Sequence, residues 1–436
     1  MKVIILYFYQ KRELLKVFKF GGASVKDAKA VRNVAGILNE YRQDELIVIV
    51  SAMGKTTNAM ENIVQAMYDK NWSVFKELVE ERRQFHLDIL KELFEEDSNG
   101  IFGEINLSFD NLRNKEKEPL APNYDFQYDQ IVSLGEVFST KIVAAYLQLT
   151  REDVVWGDAR KFIRTNHDYR SAEVDWEMTS LLIDQFRAEN ISKTVVITQG
   201  FIGHTNENLT TTLGREGSDF TAGIIAYCTN SESVTIWKDV PGMLNADPKW
   251  FDKTVKLDSI SFKEAIELAY YGASVIHPKT IKPLQNKNIP LFVKSFVDPS
   301  ASGTIIHQST ERDHLIPSFI FKINQVLLSI TPKDFSFIVE RNLSDIFGKL
   351  ALSGGHINLM QNSAVSFTVC LDIDDIKLNN LVKLLDEDYL VRFNRGLELV
   401  TIRHYDQATI DRVSKDKEIL MEQKTRHTAR IVMKRL

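Results

Sequence analysis

A lysine stands next to last in the short apolar run KVFKF, which is followed at once by two glycines, in the segment KFGGASV from Lys19 to Val25. A buried strand tolerates a cation only where something anionic meets it. Open α/β sheets place their ligands beyond the carboxyl ends of their strands, which is where Lys19 falls. Gly21 and Gly22 lack Cβ atoms, so their amides can approach a phosphate at the start of the next helix. Gly-Gly after a strand is also an ordinary tight turn, so this segment does not define a site alone.

Four further segments carry the same kind of chemistry. TTTLGREGSDFTA (Thr210 to Ala222) packs hydroxyls, two glycines, an arginine and an aspartate into a loop that opens a helix. Arg215 offers a planar fork suited to a carboxylate or phosphate. Gly217 and Ser218 present amides and a hydroxyl at the positive end of that helix, where Asp219 is equally an ordinary helix-start residue. In VTIWKDVPGMLNADPK (Val234 to Lys249), Lys238, Asp239 and Lys249 could surround a ribose and a polyphosphate, while Pro241-Gly242 reads as a plain type II turn. In SLGEVFST, Glu136 sits on an apolar helix face, and a buried carboxylate there calls for a cation such as a substrate ammonium. SAMGKTTN (Ser51 to Asn58) resembles a P-loop only superficially, because it lacks the leading glycine of G-x-x-x-x-G-K-[ST].

The elements that must hold these residues follow from periodicity. Val17–Phe20, Leu46–Ser51, Val154–Trp156, Thr194–Thr198, Val234–Trp237 and Pro290–Val293 read as strands, several apolar on both faces as in buried parallel sheets. Between them lie helical patterns. Val31, Val34, Leu38 and Tyr41 share one face of Val25–Tyr41, and Gln130–Leu149 behaves alike. Ser261 with Glu264 is a capping box, and Gly272 stops that helix. This alternation predicts an α/β sandwich with a mostly parallel sheet. Met60–Glu96 predicts a charged helical hairpin laid over the sheet. The break DPSASG (Asp298–Gly303) predicts a boundary, after which the elements run βαββαβ, the ferredoxin-like unit. The strand-like ELVTIRH, EILMEQK and ARIVMK that follow leave too little helix for a second complete unit.

Length and composition bound the rest. A chain of 436 residues is too long for one core. A net charge of −5 gives no footprint for nucleic acid, so an anionic substrate needs locally placed cations. No apolar run approaches the ~20 residues that span a bilayer. The two cysteines, Cys228 and Cys370, read as unpaired thiols of a reducing compartment, and the opening MKVIILYFYQKRELL does not read as a cleaved signal, so a cytoplasmic protein is expected. The nine histidines show no H-E-x-x-H or comparable spacing; His277 before Pro278 reads as a loop residue. No protein-bound catalytic metal is expected.

Six ordered blocks, KFGGASV, SAMGKTTN, SLGEVFST, TLGREGSD, IWKDVPGMLNADP and YGASVIHPKT, together resemble the aspartate kinases of the amino acid kinase family. The residues after the boundary resemble the ACT regulatory region of that family. The resemblance implies a three-layer αβα sandwich with a C-terminal ferredoxin-like ACT region. It implies an N-terminal extension at 1–15, a catalytic domain at 16–307, and an ACT-like region at 308–436 whose second module lacks room for its first helix. The implied reaction moves the γ-phosphoryl group of ATP to the β-carboxylate of L-aspartate, the first step towards lysine, threonine and methionine. Magnesium would be carried on the nucleotide phosphates.

By the same resemblance, Lys19 meets the transferring phosphoryl oxygens and Asp219 holds that lysine. Arg215 takes the substrate carboxylate, Glu136 the ammonium, and Thr57 and Ser218 support by hydrogen bonds. Gly21, Gly22, Ser24, Ser51, Lys238, Asp239, Leu244, Lys249 and Ser274 fall at nucleotide-binding positions. Family members commonly carry lysine at the Ser274 position, tyrosine at Leu244, and threonine or serine at Lys238. The lost cation is expected to be replaced by Lys238 or Lys279. A homodimer through the ACT-like region and an amino-acid effector there are also implied. No homoserine dehydrogenase motif follows, so a monofunctional enzyme is expected. The competing readings are another amino acid kinase of this fold and a catalytically silent amino-acid sensor.

Overall fold

The computed structural model of the chain describes residues 15–95, 100–190, 194–251, 253–273, 276–334 and 336–436. The expected N-terminal extension lies outside them except for Leu15, and Ser274 lies outside them as well. The residues form two units. The first holds residues up to Met243, Asp258–Ala265 and Ile276–Ser309; the second holds Leu244–Leu257, Ile266–Val275 and Thr310–Leu436. The expected boundary at 307 thus lies close to one of several crossings rather than at a single linker.

In the first unit the elements run β1 (Lys16–Phe20), α1 (Ala28–Glu40), β2 (Leu46–Val50), α2 (Thr56–Tyr68), α3 (Trp72–Leu93), α4 (Ile101–Asn114), α5 (Tyr124–Val132) and α6 (Leu134–Gln148). They continue as β3 (Val154–Gly157), α7 (Trp176–Glu189), β4 (Val195–Gln199), β5 (Ile202–His204), β6 (Thr210–Thr212), α8 (Gly217–Thr229), β7 (Ser233–Lys238), β8 (Ser259–Ser261), α9 (Phe262–Tyr271, which passes into the second unit at Ile266), α10 (Pro278–Lys287), β9 (Leu291–Ser295) and β10 (Thr304–His307). Each predicted strand is present. The eight-stranded sheet has the order β3-β4-β2-β1-β7-β9-β10-β8. It is parallel except where β10 runs against β9.

The apolar composition of the inner strands has the expected cause. All five residues of β2 and all five of β4 are buried, because helices cover both faces. β1 lies between β2 and β7, in register Lys19↔Ile49 and Lys19↔Ile236. The lysine therefore stands at the centre of the sheet, at the end where three strands finish together. Helices α2 and α3 fill the expected hairpin region, α4 follows beyond it, and the three bury Phe75, Leu90 and Phe109 in the main core. The single helix expected over Gln130–Leu149 is broken at Ser133 into α5 and α6. Ser261 caps the residue-264 amide at 3.0 Å, as its spacing predicts.

The second unit contains β11 (Ser318–Pro332), α11 (Glu340–Ser353), β12 (His356–Asn362), β13 (Phe367–Asp372), α12 (Asp375–Leu385), β14 (Tyr389–Arg403), α13 (Gln407–Ser414), β15 (Lys417–Lys424) and β16 (Thr428–Arg435). One antiparallel sheet orders them β12-β13-β11-β14-β16-β15. Two modules share the long strands β11 and β14. The first is the predicted βαββαβ unit. The second begins in the latter half of β14, continues through α13, β15 and β16, and borrows the first half of β11, which pairs Ser318↔Arg403 to Lys322↔Leu399.

This corrects the expectation that the second module lacks room for its first helix. Helix α13 follows its first strand, capped by Asp406 on the Thr409 amide at 2.7 Å. The stretch that follows its last strand in sheet order holds no helix. Instead Ala246 and Phe251, from the segment 244–257, complete the core with Ile402, Ile410, Val413 and Ile431. Phe251 stacks on Phe319 at 4.6 Å, and the Arg412 guanidinium lies 4.0 Å from its ring centre. Phe251→Ala is expected to cost about 3 kcal/mol or more, the usual loss for a buried ring. Urea denaturation followed by circular dichroism should show an earlier midpoint; an unchanged one would exclude Phe251 from this core.

Candidate active site

The carboxyl ends of β1, β2, β4 and β7 open onto a cavity of 480 Å³. Eight predicted residues line it: Lys19, Ser51, Thr57, Glu136, Arg215, Ser218, Asp219 and Lys238. Close approach of backbones makes this convergence possible. A Cβ on Gly200 would fall 2.5 Å from Ser218 Cβ, so only glycine lets the start of α8 sit against the end of β4. A Cβ on Gly135 would lie 3.0 Å from Thr56 Cγ2, so α6 can bring Glu136 up to the loop after β2.

Helix α8 points its first turn into the cavity and carries Asp219 there. Lys19 Nζ lies 2.6 Å from Asp219 Oδ1, and Lys238 Nζ lies 3.6 Å from Oδ2. Asp219 is 3% exposed. Burial alone would push its carboxyl up, but the two ammonium groups outweigh that and hold it below its ordinary value. The carboxylate therefore stays ionised, and it fixes both lysines at the end of the sheet.

Glu136 is the opposite case. It is 3% exposed, and burial pushes its carboxyl up to about 8 despite a bond from the Ala52 amide and the distant pull of Lys19. Its Oε2 has no hydrogen-bond partner among the described residues. A buried carboxyl with one free oxygen facing a cavity is suited to receive a cationic ligand.

Helix α5 builds the wall opposite the lysines. Asp129, fully buried, accepts from the Thr212 amide at 2.8 Å, from Thr212 Oγ1 at 2.7 Å and from the Arg170 amide at 3.0 Å. Burial raises its carboxyl to about 6 in spite of those bonds. Gln130 donates to Thr210 O at 2.8 Å, and Tyr128 donates to Glu61. Strain collects here. Three lining residues other than glycine, Arg170, Phe201 and Glu216, have φ of 66°, 71° and 54°. A left-handed backbone costs such a residue about 1 kcal/mol, and it persists where its surroundings over-determine it.

The remaining predicted positions fall elsewhere. A Cβ on Gly21 would lie 3.5 Å from Lys19 Nζ, so this glycine borders the site. Gly22 serves packing: a Cβ there would sit 2.6 Å from Ala52 O and 2.8 Å from Gly54 O. Ser24 is buried, and Asp239 is exposed at the end of β7. Leu244 and Lys249 belong to the second unit, where Asn245 bonds to Val255 and Pro317. Lys279 lines a separate cavity with Trp176, Phe220 and Tyr227, so of the two expected replacement cations only Lys238 is in the site. His277 caps α10, accepting from the Lys279 amide at 3.1 Å. Among the described residues no cluster of His, Cys, Asp and Glu could hold a metal ion.

The sequence reading passed over Glu61, Tyr128, Asp129, Arg170, Phe201 and Glu216. Asp129 and Glu136 are seven residues apart in sequence, but the break at Ser133 puts them on different helices, α5 and α6. Arg170 had no local signal.

Comparison with known proteins gives a consistent picture. The model of the amino acid kinase family matches residues 15–295. The lysine-sensitive aspartokinase 3 of Escherichia coli (strain K12) is 32% identical over 394 residues, 88% of this chain and 86% of its own. The chain spans 43% of the bifunctional aspartokinase/homoserine dehydrogenase 2 of Arabidopsis thaliana, to which it is 28% identical. Escherichia coli aspartokinase III with lysine and aspartate superposes with a TM-score of 0.79 at 30% identity, covering 96% of this chain and 95% of that one. The same enzyme with aspartate and ADP gives 0.73 at 29%, covering 96% of each.

The Glu136 geometry has a measurable consequence. With its carboxyl raised from 4.5 to about 8, the folded protein keeps a proton that the unfolded chain has released. Stability is therefore lost as pH climbs from 4.5 towards 8, and the loss is complete above that. Glu136→Gln, which cannot ionise, is expected to melt higher than the parent above pH 8 without substrate. The gap should close towards pH 4.5. A difference in melting temperature that did not vary with pH would refute the picture of Glu136 as a buried acid.

Proposed function

The chain belongs to the amino acid kinase family, and from that premise we propose that it is an aspartate kinase, transferring the γ-phosphoryl group of ATP to the β-carboxylate of L-aspartate. The products are 4-phospho-L-aspartate and ADP. One observation carries the reading: the Lys19–Asp219–Lys238 cluster lines the same cavity as Glu136 and Arg215. The first set suits a polyphosphate, the second an amino acid.

The chemistry needs little beyond placement. A carboxylate with pKa about 4 is already ionised at neutral pH, so no general base is required. Two anions must instead be brought together in line, and charge must be met as it spreads over the transferring group. Lys19 and Lys238 supply that charge, and Asp219 aims them. Arg215 receives the α-carboxylate and Glu136 the ammonium, while Thr57 and Ser218 donate hydrogen bonds. Binding of the ammonium favours the ionised form of Glu136, so the proton it holds when empty is released as substrate enters. Magnesium would arrive on the nucleotide phosphates; the carboxylate nearest the chemistry, Asp219, is already occupied by two ammonium groups.

Production of acyl phosphate is read by trapping with hydroxylamine, with aspartate and glutamate as rival acceptors. Aspartate should be the acceptor used, and Lys19→Ala should reduce turnover at least about a thousandfold, the scale of losing a clamp on a phosphoryl group. Glutamate preferred over aspartate, or turnover surviving in Lys19→Ala, would overturn the proposal. Lys238→Ala should raise KM for ATP or lower kcat, and Lys279→Ala should do neither.

A further inference from the structure

We propose that Arg170 is a specificity-determining residue of this site: a second guanidinium, beside Arg215, that reads a carboxylate of the acceptor. This rests on the aspartate kinase reading for the identity of the acceptor, but its evidence is separate.

Arg170 lines the cavity although it stands far in sequence from every other lining residue. Its position is set four ways from α5. Its amide donates to buried Asp129, its guanidinium lies 4.4 Å from the Tyr128 ring centre and 5.9 Å from that of Tyr124, and Nη1 lies 3.0 Å from Asp125 Oδ1. The backbone is held left-handed at φ 66° to allow this. A residue whose side chain had no task at such a position would be expected to be glycine or asparagine.

The neighbourhood indicates the task. The carbonyl of Arg170 would lie 3.1 Å from a Cβ on Gly214, the residue before Arg215. The Ala172 amide donates to Thr212 O at 3.0 Å, so the chain around Arg170 runs beside the chain that carries Arg215. Arg170 and Arg215 thus come from adjacent chain segments, and both line the cavity. The Arg170 side chain is 47% exposed, so its unpaired N–H groups remain reachable, and one exposed carboxylate does not use up its five donors. An acidic amino acid carries two carboxylates and one ammonium; the cavity offers the two guanidiniums for the former and the buried Glu136 for the latter, with Glu61 and Glu216 also in its lining. The Tyr128 ring beneath the guanidinium and Asp125 at its edge hold it in one place, so it can discriminate where the acceptor's carboxylate falls.

The test is Arg170→Gly, chosen because glycine accepts the left-handed backbone and relieves its strain. KM for aspartate should rise about tenfold, the effect of one charge-assisted hydrogen bond. KM for ATP should stay the same, kcat should remain within about twofold, and the melting temperature should not fall. The ratio of kcat/KM for glutamate over aspartate should rise. An unchanged KM for aspartate would overturn the proposal, as would a change in KM for ATP alone. A thermal-shift titration with aspartate reads the contact without turnover: the parent should shift and Arg170→Gly should need about tenfold more ligand. If the parent shifts but makes no acyl phosphate, the reaction assigned above fails while this contact stands. If both proteins shift alike, the contact fails.

Discussion

Lys19 and Asp219 come from distant parts of the chain, and each makes the other's burial tolerable. A lysine at the end of a central strand would be an uncompensated charge between β2 and β7, and an aspartate in the first turn of a helix packed on the sheet would be one too. Brought to 2.6 Å, they lock the start of α8 against the end of β1. Lys238, at the end of β7, shares the carboxylate and closes the third side. The site is therefore a property of the sheet's carboxyl edge: two strand ends and one helix start are held in place by a single anion. Removing that anion would leave two ammonium groups repelling each other where a polyphosphate must be received.

The opposite wall is organised by a second buried carboxylate, with a different strategy. Asp129 has no cation against it; three N–H and O–H donors from Thr212 and Arg170 satisfy it instead. Neutral donors stabilise a carboxylate less than ammonium groups do, and its pKa accordingly settles near 6 rather than below the ordinary range. Asp129 therefore draws on no guanidinium: Arg170 pairs instead with exposed Asp125, and both it and Arg215 line the cavity.

Much of this was legible in the sequence where the signal was local. Strand and helix placement followed from apolar periodicity, since LIVIV and VVITQ can be buried on both faces only inside a parallel sheet. The blocks around Lys19 and Glu136 combined chemistry with glycines whose necessity the structure explains at Gly22 and Gly135. What was not legible depended on tertiary approach. Arg170 sits in a run, HDYRSAEV, with no periodicity and no motif, and its relevance arises only because Asp129 grips its amide. Gly22 adds a requirement that only the fold reveals: a Cβ there would meet the carbonyls of Ala52 and Gly54 in the neighbouring loop.

The second unit shows why linear order can mislead even when every strand is found. Its two modules have the same sheet order, but the second starts in the middle of β14 and draws its last strand from β11, before the first module begins. Read along the chain, it looks truncated; read across the sheet, its first helix is present as α13, and what is replaced is the other helix. The replacement, Ala246 and Phe251, comes from a segment that precedes β8. A fragment beginning at residue 308 would consequently lack part of its own core, with a stacked ring missing from beside Phe319 and Arg412. Any account of this unit as an independently folding regulatory piece must therefore carry the 244–257 segment with it.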